Sequence, residues 1–107
     1  MKSTARILRW IHDKKGSDGT RNQDIWDLIS EMGYKDAIVF DNPSYDSAII
    51  GVSDDGRVIY DYEMMIQSLV TEDDMSVEDA ADFVSYNSIR AAAYIPNGPI
   101  VMYGIKI

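Results

Sequence analysis

Cysteine is absent from the 107 residues, histidine occurs once and proline three times. Without thiols, disulfides, thiolate nucleophiles and cysteine-ligated zinc are excluded. The lone His12 leaves no histidine pair and no H-E-x-x-H metalloprotease signature. Neither G-x-S-x-G nor G-x-x-x-x-G-K-[ST] occurs, so serine hydrolase and P-loop chemistry lose their usual warrant. Long apolar runs are lacking too: the longest are four or five residues, against ~18 needed to span a bilayer. The N-terminal Met1–Arg6 leads into an amphipathic pattern and not into the apolar core of a signal peptide. The expectation is a soluble cytoplasmic protein with no membrane role.

Positive charge is scarce, and unevenly so. Residues 1–35 hold seven Lys/Arg against five Asp/Glu, a net of +2; residues 36–107 hold three against thirteen, a net of −10, which together make the −8 of the chain. Such a field repels nucleic acid from most of the surface and attracts basic partners, which bears on association and not on fold. What the chain does have is enough to bury a core: 46% hydrophobic residues, two Trp and seven Tyr. The length suits a single domain of residues 1–107.

Apolar periodicity divides that domain into a helical hairpin (1–35) and an acidic α+β body (36–107). Ile7, Leu8, Trp10 and Ile11 cluster on a 3.6-residue wheel, with Ser3 or Thr4 to cap and Gly16 to end a first helix. Thr20 and Gln23 fit a capping box for a second helix. Ile25, Leu28, Ile29 and Met32 line its face, and Gly33 stands at its left-handed C-terminal cap. Trp10 and Trp26 are placed where the hairpin meets the body. Ala37–Phe40 reads as a buried strand, and Asp41-Asn42-Pro43-Ser44 as a turn. Two β-branched runs, Ala48–Val52 and Arg57–Tyr62, flank Ser53-Asp54-Asp55-Gly56, a hairpin signal. Asp61 caps a helix carrying Met64, Met65, Ile66, Leu69 and Val70, broken at 71–74. Ser76 opens another, with Val77, Ala81, Val84 and Ser88 on one face, that continues to about Ala92. Ile100–Tyr103 begins a last strand. The predicted order is ααβββααβ, an α+β fold with a mostly antiparallel sheet of three or four strands.

Catalytic and metal chemistry find little support in these residues. Asp13–Asp24 has the length of an EF-hand loop, but Lys15 occupies a ligand position, Asp18 stands where the sharp turn needs Gly, and Asp24 replaces the bidentate Glu. His12 could serve only as a lone general base. Asp54 and Asp55 are accounted for by the hairpin turn, and Asp61 and Asp79 by capping. Nucleic-acid contact has one foothold, in Lys2, Arg6, Arg9, Lys14, Lys15 and Arg21 of the hairpin. The second helix, however, carries Asp24, Asp27 and Glu31 and no base, which suits phosphates poorly. Arg90 is expected to pair with Asp46 or a neighbouring carboxylate.

The remaining candidates are acidic groups at turns and helix starts: Asp54 and Asp55, then Glu72, Asp73 and Asp74, then the trio Glu78, Asp79 and Asp82. They are either a solubility coat or a surface that presents phosphate-like charge to a basic groove. Tyr45, Tyr60, Tyr62 and Tyr86 are either aromatic anchors for that surface or core residues.

Several stretches resemble the small acidic proteins encoded by phages and mobile elements of Gram-positive bacteria. These are the run from Asp36 to Asp46, the Ile49–Tyr62 hairpin, Tyr86-Asn87 with Arg90, and Pro99–Tyr103. The resemblance covers about two thirds of the chain, omits the helical hairpin and brings no catalytic motif. It implies an inhibitor of the anti-CRISPR type that occupies the nucleic-acid groove of a host protein.

The expectation is therefore a non-enzymatic binding protein with no cofactor and no metal. Its partner is a basic host protein, such as a nucleic-acid-binding nuclease. Its binding residues are Asp54, Asp55, Glu72, Asp73, Asp74, Glu78, Asp82 and Tyr45, and the helical hairpin is a second contact or a homodimer surface. Two alternatives stand beside it: a nucleic-acid-binding regulator using the basic helices, and a metal-dependent hydrolase using paired carboxylates.

Overall fold

The computed structural model describes residues 8–10, 23–34 and 36–105. The first element is a strand, β1 (Leu8–Trp10), which pairs antiparallel with β2 (Ile38–Phe40) through Leu8–Phe40, Arg9–Val39 and Trp10–Ile38. This corrects the first predicted helix at Leu8–Trp10; the rest of that segment of the predicted hairpin, with its Ser3, Thr4 and Gly16 signals, lies outside the described residues. The physical reason is that a short apolar run carries no period of its own. A neighbouring strand that offers backbone partners decides its state.

Helix α1 (Gln23–Glu31) forms where predicted. It ends on Gly33, whose φ of +98° a side chain would disfavour. Gly33 N–H donates to Ser30 C=O at 2.9 Å and Tyr34 N–H to Ile29 C=O at 3.3 Å, the paired bonds of a Schellman cap. Trp26 is fully buried.

After β2 the turn signal at Asp41–Ser44 opens a 3-10 helix (Pro43–Ala48), with Asn42 as its cap accepting from Ser44 N–H. Ala48 therefore belongs to a helix and not to the strand that follows. β3 (Ile49–Val52) and β4 (Val58–Asp61) form the predicted antiparallel hairpin, with a bulge at Ile50 between the pairs Ile49–Tyr60 and Gly51–Ile59. At its tip Ser53 and Arg57 close the loop: Ser53 N–H donates to Arg57 C=O at 2.8 Å and Arg57 N–H to Ser53 Oγ at 3.0 Å. Gly56 has φ +85°, and a Cβ there would lie 2.8 Å from the Tyr34 ring, so both backbone and space require glycine.

Asp61 caps α2 (Tyr62–Glu72) by accepting from Met64 N–H at 2.9 Å. Ser76 caps α3 (Val77–Phe83) by accepting from Asp79 N–H at 3.1 Å. The chain then widens into a π-helical segment (Val84–Ile89) and ends in α4 (Arg90–Ala92). Ala80, Val84, Ser88 and Ala92 are the buried positions, spaced by four. In an α-helix each four-residue step overshoots by about 40°. The wider π turn cancels that drift and keeps the four residues on one line. The predicted face differs at its start: Val77, in the first turn of α3, is 61% exposed.

β5 (Ile100–Met102) runs parallel to β4, giving the order β3-β4-β5, so the three-stranded sheet is mixed and not mostly antiparallel. The α2-to-α4 stretch is the crossover that parallel pairing requires. Among the described residues no helix is long and apolar enough to cross a membrane.

The core centres on three rings. Phe40 and Tyr60 lie 4.9 Å apart, Phe40 and Tyr45 5.5 Å, and Tyr45 and Tyr60 6.3 Å, in tilted and edge-to-face geometries worth roughly 0.5–1.5 kcal/mol per pair beyond burial. Tyr60 Oη also accepts the Phe40 N–H at 3.1 Å, which ties the β1–β2 pair to the mixed sheet. Replacing Tyr60 with Phe keeps the ring and strands that buried amide. The expected loss is about 1–3 kcal/mol, read as a lower denaturant midpoint at unchanged slope; a midpoint equal to the parent's would refute the role given to this bond.

Candidate functional site

Most of the predicted acidic residues converge on the junction between α2 and α3. The last turn of α2 ends at Glu72, where Asp73 N–H and Met75 N–H both donate to Leu69 C=O, at 3.0 and 3.2 Å. Asp74 takes φ +60°, a left-handed conformation that short polar side chains tolerate. The Asp73 carboxylate accepts from Ser44 Oγ at 2.8 Å and from Asn42 Nδ2 at 3.3 Å, so it fastens the junction to the start of the 3-10 helix. Glu72, Asp73, Asp74, Glu78, Asp79 and Asp82 are all exposed, with the apolar Val77 exposed among them. Six carboxylates thus fall within eleven positions. The Asp79 backbone N–H donates the cap bond to Ser76 Oγ, and its side chain is exposed with the other acids of the junction.

Asp54 and Asp55 are built on a different element. They occupy the exposed tip of the β3–β4 hairpin, where Ser53 Oγ donates to the Asp55 carboxylate. Chain order places this tip after β3, whereas Asp73 is bonded to residues 42 and 44, at the start of the 3-10 helix.

The aromatic residues divide between core and surface. Tyr45 is 1% exposed and Tyr60 fully buried, so neither is presented as a surface anchor. Tyr62 stacks on Tyr103 with centroids 4.6 Å apart and planes 9° from parallel. Tyr86 is exposed, and the Arg90 guanidinium lies 5.8 Å from its ring centroid, a cation–π contact. Asp46 is buried, in the 3-10 helix.

Beside the acidic junction lies a cavity of about 300 Å³. Buried Phe40, Tyr45 and Ser88 form its floor, and Phe83 and Pro43 stand further out. Asn42 and Asn87 border it, with Asp41. Since Asn42 is also bonded to Asp73, cavity and patch share an edge. At the floor the hydroxyls of Tyr45 and Ser88 are 2.9 Å apart. No local motif marks this site: Phe83, Asn87 and Ser88 enter it because the π-helical segment faces residues forty positions earlier in the chain.

Among the described residues no three carboxylate or imidazole side chains gather as metal ligands would. His12 and residues 13–22 of the loop tested for calcium lie outside the described residues. No protein-family model matches the chain, and no match was found among curated proteins or solved structures.

Burial pushes the Tyr45 phenol up to about 12; the Ser88 hydrogen bond pulls in the opposite direction, and the nearby Asp73 charge adds to the rise. The folded state therefore holds this proton more tightly than the unfolded chain, where a phenol titrates near ~10. The resulting stability is complete below pH ~10 and is lost as pH climbs through about 12. Denaturation series across this range should show falling stability, with a shallower fall in Tyr45→Phe. Identical alkaline slopes in the two proteins would exclude Tyr45 as the source.

Proposed function

We propose that this chain is a non-enzymatic binding protein whose α2–α3 junction docks on the basic surface of a nucleic-acid-binding protein. One observation carries this reading. Six exposed carboxylates and an exposed valine fall within eleven positions at the junction, and the two described cations of residues 36–105 are engaged elsewhere. Arg57 Nε donates to Gly98 C=O at 2.8 Å, and Arg90 lies over Tyr86. A surface evolved only for solubility has no need of an apolar side chain among its charges, whereas a docking surface with a dehydrated middle does.

Closely spaced carboxylates on a rigid helix junction present negative charge much as a run of phosphates does. Such a surface steers a cationic groove toward it and competes with nucleic acid for the same contacts. The resemblance of residues 36–105 to acidic phage and mobile-element proteins supports a host nuclease, such as a CRISPR effector, as the partner, with inhibition by occupancy as the result. The hairpin-tip pair Asp54 and Asp55 serves as a second, smaller contact.

The test uses short Arg/Gly and Lys/Gly repeat peptides as stand-ins for the basic groove. Association should slow several-fold between low and physiological salt, because exposed charges are screened over ~8 Å at the latter. Glu72→Lys with Asp82→Lys should lower the association rate more than it raises the dissociation rate. Asp73 is left intact in that variant because it holds the junction to Asn42 and Ser44. Salt-independent association, or unchanged rates in the variant, would eliminate the junction as the docking surface.

A further inference from the structure

We infer that the cavity beside the junction is a receptor for one arginine side chain of the basic partner. The inference deepens the reading above and rests on it for the source of the arginine, but the pocket's selectivity is separately measurable.

Size and lining set the ligand class. At about 300 Å³ the cavity is at the small end of ligand sites, enough for one long side chain or a single ring and too small for a nucleotide cofactor. Three aromatic residues, Phe40, Tyr45 and Phe83, line it, and aromatic rings attract cations. Its border is acidic: Asp41 lines it, and Asp73 is bonded to Asn42 at its edge. A phosphate or carboxylate ligand would be repelled.

Hydrogen-bond accounting at the floor points the same way. Tyr45 and Ser88 share one bond, so each oxygen keeps acceptor capacity in a place that is 1% exposed. At the rim the Asn87 amide makes no hydrogen bond among the described residues and offers a further carbonyl acceptor. Acceptors at floor and rim with aromatic walls between them suit a planar group that donates along its edge and stacks on its face. That is a guanidinium. An ammonium is more strongly hydrated, cannot stack and gains less from leaving water. The π-helical segment is what brings Asn87 and Ser88, adjacent in the chain, to border the same cavity, and π turns recur at functional sites.

The experiment has two arms. In the first, the full chain is titrated with N-acetylarginine amide while the backbone amide resonances are followed, with N-acetyllysine amide and N-acetylnorleucine amide as controls. Shifts concentrated at residues 40–45 and 83–88, and larger with the arginine compound, support the receptor. Shifts equal for all three compounds, or none at these residues, overturn it whatever the fate of the junction. In the second, the Arg/Gly peptide is compared with the Lys/Gly peptide. The parent should prefer arginine about tenfold, and Phe83→Leu or Asn87→Leu should erase that preference while leaving the Lys/Gly affinity unchanged. Equal affinity in the parent, or a preference that survives both substitutions, refutes the pocket and leaves the acidic junction standing. Failure of both peptides to bind refutes the junction as the source of the arginine, and the first arm then decides the pocket alone. Circular dichroism confirms that each variant retains its fold.

Discussion

Tyr60 joins the mixed sheet to β2 and the 3-10 helix, and the bond from Phe40 N–H to its hydroxyl is the constraint on which the arrangement turns. β2 is a three-residue strand of which the β1 pairing occupies one side. Its Phe40 amide is buried and needs an acceptor. The phenol of a residue twenty positions later supplies it, while the same ring packs against Phe40 and Tyr45. Tyr45 in turn reaches Ser88 in the π-helical segment. One aromatic cluster thereby connects the two-stranded pair, the 3-10 helix, the mixed sheet and the crossover helices, none of which is long enough to be stable alone.

The negative charge is organised around that cluster without entering it, apart from Asp46. Carboxylates and short polar groups occupy the positions where backbone groups at helix ends or in turns want a partner. Asp61 caps α2, Ser53 with Asp55 shapes the hairpin tip, and Asp73 links two loops. Capping and turn formation consume only some of these groups. At the α2–α3 junction the rest accumulate because two helix ends meet there, and the 3-10 helix start, held by Asp73, delivers Asn42 to the edge of the cavity. The acidic surface and the aromatic cavity are therefore consequences of one join.

Legibility followed the range of the signal. The β3–β4 hairpin, the Asp61 and Ser76 caps and the Gly33 stop are written in four or five adjacent residues and were readable as such. The strand at Leu8–Trp10 was not, because an apolar run that short satisfies helix and strand templates alike, and β2 makes the choice. The 3-10 helix was read as a turn, since Asn42 and Pro43 start both. Tyr45 offered equal grounds for surface and core until its contacts with Phe40, Tyr60 and Ser88 were known. The acidic cluster, Asp79 included, was visible as composition, but nothing in the sequence joined Phe83 and Asn87 to a cavity beside it.

Composition and local pattern by themselves determined the absence of thiol chemistry, the acidic field, the α+β class, the β3–β4 hairpin and the helix starts, because each depends on side-chain type or on bonds within one turn. Only the tertiary structure decided the parallel placement of β5, the π-helical widening that aligns Ala80, Val84, Ser88 and Ala92, and the meeting of Asn42 with Asp73 and of Tyr45 with Ser88. Those depend on which distant surfaces exclude water together, and that free energy belongs to no single segment of the chain.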